Sequence, residues 1–245
     1  MVYKTGVMMI KLHSFGAAFG LIDASPFVSK VKLFLAVHNI DYQEVNDVMR
    51  LGKAPKQKFP YIDDGKDIVA DSGFILEYLS KKYLIEMDSW LTDEQAATAH
   101  LISKSLEENL YWCLVYSRWV NDDTWPIIRS HFFGSMPFPL STIIPFLARK
   151  GTIKRIEGQG MGAHTAEQVL TIAKQSFVSL STVLADKRFF FGDKMSSLDI
   201  IAFAQLSSFT LATLNNPTNS AAREHQNLVE FTERIEQIYF SEIAR

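Results

Sequence analysis

Residues 58–72 read Lys-Phe-Pro-Tyr-Ile-Asp-Asp-Gly-Lys-Asp-Ile-Val-Ala-Asp-Ser. Two short runs, Phe59–Ile62 and Asp67–Ala70, flank Asp64-Gly65. An Asp-Gly pair between apolar runs signals a tight hairpin. Asp71 and Ser72 follow at once, and Phe74, Ile75, Tyr78 and Leu79 continue on one helical side. Asp and Ser both favour a helix start, because their side chains accept from the free amides there. The stretch therefore predicts strand, turn, strand, helix. Pro60 stands at the first strand's edge, where a missing N–H is tolerated.

Working outward, Met8–His13 suits a short strand, and a loop containing Gly16, Gly20 and Asp23 leads to Ser25-Pro26. Ser favours the N-cap, and Pro fits the first helical position without losing a needed donor. Phe27, Val31, Phe34 and Leu35 then follow the spacing of a helix with one buried face. Tyr42–Asn46 reads as a second strand, and a loop with Lys53, Lys56 and Lys58 leads into the hairpin. The order is β-α-β-β-β-α.

Beyond about Tyr83 the strand signals stop. Thr92-Asp93-Glu94 opens a helical pattern reaching about Val120, and further patterns run through Val169–Leu184, Leu198–Phe209 and Leu228–Ile238. A strand-containing segment followed by a run of helices implies two domains. The first is expected over residues 1–84 and the second over 93–245, with the boundary near Ile85–Thr92.

Three patterns, in this order, resemble the glutathione S-transferase superfamily: Ser25-Pro26-Phe27; the run from Lys58 through Asp71-Ser72; and Gly192-Asp193 followed by Ser196-Ser197-Leu198-Asp199. The wording is most similar to the Fax and metaxin-like (failed axon connections-like) branch. Pro60-Tyr61-Ile62-Asp63-Asp64-Gly65, Ala70-Asp71-Ser72, Arg118-Trp119 and the Gly158–Gly162 run carry that likeness, which weakens between about Asn121 and Lys154. The resemblance implies an α/β thioredoxin-like N-terminal domain that binds glutathione, followed by an all-α C-terminal domain.

It also implies roles. Ser25 becomes the candidate catalytic residue, its hydroxyl donating to the glutathione thiolate beside a helix N-terminus, where partial positive charge favours an anion. The competing reading is a plain N-cap, worth about 1 kcal/mol. A cis peptide before Pro60 would present the backbone of Phe59 to the cysteinyl part of glutathione. Asp71 would meet the γ-glutamyl ammonium, and Ser72 the γ-glutamyl carboxylate, through charge-assisted hydrogen bonds. For that pair, and for Pro60, the alternatives are a capped helix and a strand-edge proline. Tyr111 and Trp119 are candidates for the cleft of the second substrate, although aromatics at helical spacing are also ordinary core. Cysteine, which would support thiol–disulfide exchange, stands at neither Ser25 nor Val28.

The bulk chemistry narrows the classes. Formal net charge is -2, with no basic cluster of the kind that binds nucleic acid. One cysteine, Cys113, allows no internal disulfide, and it is read as a buried thiol. The six histidines are scattered, so no metal is expected, and Gly158–Gly162 lacks the Lys-Ser/Thr of a phosphate loop and reads as a flexible loop before a helix. Met1–Ile10 carries no sustained apolar run and no transmembrane segment is expected, so the expected location is cytoplasmic. The family likeness further implies a homodimer. Two functions stay open: conjugation of glutathione, as co-substrate, to a small apolar electrophile, or a non-catalytic glutathione-binding or protein-interaction module.

Overall fold

The computed structural model describes residues 9–46 and 48–241. Met8, the start of the expected first strand, and most of the Met1–Ile10 run lie outside these residues. The described residues divide into two compact units, one within Met1–Leu91 and Ile235–Arg245, the other within Thr92–Arg234.

In the first unit, strands β1 (Ile10–Ser14), β2 (Tyr42–Asn46), β3 (Tyr61–Asp63) and β4 (Ile68–Ala70) form one sheet in the order β2-β1-β3-β4. β1 runs parallel to β2 and antiparallel to β3, and β3 pairs antiparallel with β4. Helix α1 (Pro26–Val37) makes the crossover between the two parallel strands, and α2 (Ser72–Tyr83) follows β4 and packs on α1. Ile10, Leu12, Val31, Ile62, Ile75 and Leu79 form the buried centre. The hairpin forms as the Asp-Gly signal predicts. Asp64 accepts from the amides of Lys66 (3.0 Å) and Asp67 (2.9 Å), while Gly65 takes φ 83°.

Helix α1 differs from its expectation. Burial extends around the helix rather than along one stripe, and Lys30 and Lys32 are enclosed with the apolar residues while Phe27 is only half-buried. Lys32 tolerates this because two carboxylates meet it, a partnership that periodicity does not register.

The second unit is built of helices joined by loops and has no named strand among its described residues. The long rod comprises α3 (Asp93–Lys104), a six-residue π segment (Ser105–Leu110) and α4 (Tyr111–Trp119). Then come α5 (Trp125–Phe133), α6 (Leu140–Gln159), α7 (Ala166–Leu184), α8 (Ser197–Thr210), α9 (Pro217–Arg223) and α10 (Gln226–Phe240), the last running across the limit between units. Thr92 and Thr165 open α3 and α7 with capping boxes closed by Gln95 and Gln168. Helix α8 is buried from Leu198 to Thr210 and forms the axis, with Phe209 meeting the edge of Phe177 at 5.2 Å. Asp199 opens α8 as the sequence suggests: it accepts from the Ser196 amide (2.8 Å) and hydroxyl (2.7 Å), and also from the Phe190 amide (2.8 Å).

The expected flexible loop at Gly158–Gly162 is a built turn. Gly158 lies inside α6, Gly160 ends that helix at φ 109°, and at Gly162 a Cβ would stand 2.7 Å from the Glu157 amide nitrogen. Glycine is there for close backbone approach. No helix among the described residues is long and apolar enough to cross a membrane.

Candidate functional site

Four chain segments reach the same end of the sheet. Because β1 and β3 are antiparallel with His13 opposite Tyr61, the chain leaves β1 beside the residues that enter β3. Phe15 meets Phe59 edge to face at 5.1 Å there. Tyr61 opposite Ala70 brings Pro60 and Asp71 together, and the Asp71 amide donates to the Pro60 carbonyl (3.4 Å). Helix α2 starts beside Pro60, and the loop before α1 returns to the end of β1, where the Ala24 amide donates to the Gly16 carbonyl (3.0 Å). The first unit thus gathers Ser25, Phe59, Pro60, Asp71 and Ser72 at one end.

The Phe59–Pro60 peptide is cis, and the strand register stops at Tyr61, leaving Phe59 outside it. Phe59 is buried and its ring also lies 6.0 Å from that of Tyr61. At the next helix, Asp71 has φ 85° and ψ 129°, a conformation costly for a residue with a Cβ. Its carboxylate accepts from the Gly73 amide (3.0 Å), while Ser72 is buried at the first helical position. The Lys53–Lys58 loop folds back on this helix start, with the Lys56 ammonium 4.9 Å from the centre of the Phe74 ring. Lys53 and Lys58 are exposed.

Ser25 occupies the N-cap of α1 with extended backbone (φ -101°, ψ 124°) and Pro26 follows at the first helical position. Its hydroxyl makes no capping bond, so the plain-cap reading fails for the side chain. The backbone is held instead: the Ser25 amide donates to one oxygen of Asp23 (2.9 Å) and the Gly16 amide to the other (2.9 Å). Asp23 thus braces the loop and does not cap α1. Burial pushes its carboxyl up to about 7, against Lys32 and the two amides, which pull it down. Sequence reasoning missed Lys32 and Glu44 as parts of this arrangement; two lysines on a helix otherwise expected to bury a single stripe were the available signal. Val28 is fully buried.

Tyr111 and Trp119 belong to the second unit. Tyr111 meets Trp112 edge on at 5.5 Å, and burial holds its hydroxyl above its ordinary range despite Arg118 and Arg155 nearby. Trp119 leans on Trp125 at 5.3 Å, and its carbonyl accepts from Arg149 (2.9 Å). Cys113 is buried, which pushes its thiol up to about 12 and keeps it protonated and inert.

Comparison with known proteins matches two family models: the glutathione S-transferase N-terminal domain over residues 26–125 and the glutathione S-transferase C-terminal domain over residues 173–235. The chain is 30% identical over 239 residues to the isoprene-epoxide–glutathione S-transferase of Rhodococcus sp. (strain AD45), covering 94% of this chain and 99% of that protein. It is 33% identical over 219 residues to Failed axon connections of Drosophila melanogaster, covering 84% of this chain and 52% of that one. Among solved structures, the β-etherase of Sphingobium sp. strain SYK-6 superposes with a TM-score of 0.66 at 16% identity, over 96% of this chain and all of its own.

Proposed function

Because the chain belongs to the glutathione S-transferase family, we propose that its N-terminal unit binds glutathione and transfers the thiolate to a small apolar electrophile. One observation carries the reading: the Ser25 hydroxyl is unspent on its own helix, at the end of the sheet where Phe59–Pro60 and Asp71–Ser72 meet.

In this reading the peptide lies along the backbone of Phe59, which stands outside the strand register, its γ-glutamyl carboxylate toward Ser72 and its ammonium toward Asp71. The sulfur then stands by the first turn of α1. Two effects favour its anionic form, the helix N-terminus and a hydrogen bond donated by Ser25. The thiolate attacks the electrophilic carbon; in an epoxide the C–O bond breaks and the alkoxide oxygen takes up a proton. A relative that acts on isoprene epoxide makes a small apolar epoxide the first electrophile to try.

The test compares wild type with Ser25→Ala on such an epoxide. A hydrogen bond to a charged group is worth about 1.5–3 kcal/mol, so kcat should fall by roughly 10–100-fold. Turnover unchanged in Ser25→Ala would remove Ser25 from the chemistry. The likeness to Failed axon connections favours a second reading, a glutathione-binding interaction module, and glutathione binding without any turnover would select it.

A further inference from the structure

The loop that carries Ser25 leaves β1 at Phe15 and has to deliver a side chain to a fixed point before α1 begins. Its backbone turns through Gly16 and Gly20, both at positive φ, and a two-residue bridge joins Ala18 to Leu21. Such a loop would move without anchoring, because most of its backbone groups lie outside helix or strand. The anchor is Asp23. Fully buried, it joins the start of the loop to its end by accepting from Gly16 and Ser25, and the Ala24 amide adds a bond to the Gly16 carbonyl (3.0 Å).

A carboxylate at such depth needs a cation. Lys32, 3% exposed, supplies it from the second turn of α1: its ammonium lies 3.5 Å from Asp23, donates to the Ile22 carbonyl (2.8 Å) and bonds Glu44 on β2. Glu44 in turn accepts from the Ser14 hydroxyl (2.7 Å), at the end of β1. The sheet, α1 and the loop are thus tied through one lysine and one aspartate. The bond to Ser25 goes to its amide, so the backbone is fixed while the hydroxyl stays available.

We propose that Asp23, held in place by Lys32, is a positioning residue that aims the Ser25 hydroxyl at the bound thiol. The inference rests on the glutathione reading above. It accounts for the otherwise unexplained burial of a Lys–Asp pair beside the candidate site, because that pair holds one hydroxyl in register with a sulfur.

The test measures the pH titration of the bound glutathione thiol by the ultraviolet absorbance of the thiolate, in wild type, Ser25→Ala, Asp23→Asn and the double variant. Asn keeps the size of Asp but turns one acceptor into a donor facing an amide. The expected result is a thiol about tenfold harder to ionise in either single variant and no harder still in the double, with affinity unchanged at a pH low enough to keep the bound thiol protonated, since groups acting through one another are not additive. Lys32→Gln should reproduce the loss and Lys32→Arg should restore it; Lys32→Gln also stands in if Asp23→Asn does not fold. Additive effects in the double variant, or lost affinity with an unaltered thiol, would overturn the positioning role while leaving the glutathione site intact. A protein that binds no glutathione, or a thiol indifferent to Ser25→Ala, would sink the underlying reading first and this one with it.

Discussion

At the scale of single residues, Ser25 and Asp23 divide the start of α1 between them. A serine before Pro26 is expected to spend its hydroxyl on the helix; here the hydroxyl is unspent and the neighbouring aspartate holds the backbone. Two consequences follow. Ser25→Ala should leave thermal stability within about 0.5 kcal/mol of wild type, as for a side chain without a structural bond. A loss of about 1 kcal/mol would show that it caps α1 after all. The Asp23 carboxyl, raised by burial to about 7, sits above its unfolded value near 3.8, so the folded state binds more protons between those values. Its contribution to stability is present below about pH 4 and is lost as pH rises toward 7. Urea unfolding across that range should therefore show a decline in wild type that Asp23→Asn lacks; parallel profiles would contradict the shift.

At the scale of elements, the hairpin and the opening of α8 are each secured by one buried acid. Asp64 takes the Lys66 and Asp67 amides, the Tyr78 hydroxyl and the Lys82 ammonium (2.7 Å), which binds the β3–β4 turn to α2. Burial alone would raise its carboxyl, but Lys82, Tyr78 and the two amides outweigh burial and hold it below the usual carboxylate range. The sign is opposite to that of Asp23: the stabilisation is complete above about pH 4, the unfolded value, and is lost as pH falls further. Asp64→Ala should cost about 2 kcal/mol at neutral pH, with less effect in acid. Asp199→Ala should cost about 3 kcal/mol, because it orphans three donors beneath the central helix. Chemical denaturation of each variant checks both values; a loss under 0.5 kcal/mol would contradict either.

These elements were also the legible ones. Asp-Gly, Ser-Pro and Asp-Ser are local signals, readable because turn and cap chemistry acts over a few residues. Helices α5 and α6 gave no comparable signal: Pro126 and Pro145 lie within them, and much of the apolar surface of α6 is exposed, so no periodic stripe marks them. The π segment inside the long rod was invisible for a related reason, since one widened turn barely disturbs helical spacing. The candidate site divides the same way. Pro60 and Asp71-Ser72 were found by their wording, whereas the brace from Glu44 through Lys32 to Asp23 joins residues that meet only after the sheet has formed.

At the scale of the molecule, family membership and fold agree on a unit whose sheet end collects two helix starts and one cis proline, followed by a helical unit organised around α8. We propose that this sheet end binds glutathione, with the γ-glutamyl group on Asp71 and Ser72. Isothermal calorimetry with reduced glutathione, on wild type and Ser72→Ala, tests it most directly. Saturable one-site binding is expected in wild type, weakened about tenfold or more in Ser72→Ala with the fold intact. No binding by wild type, or equal binding by a folded Ser72→Ala, would contradict it.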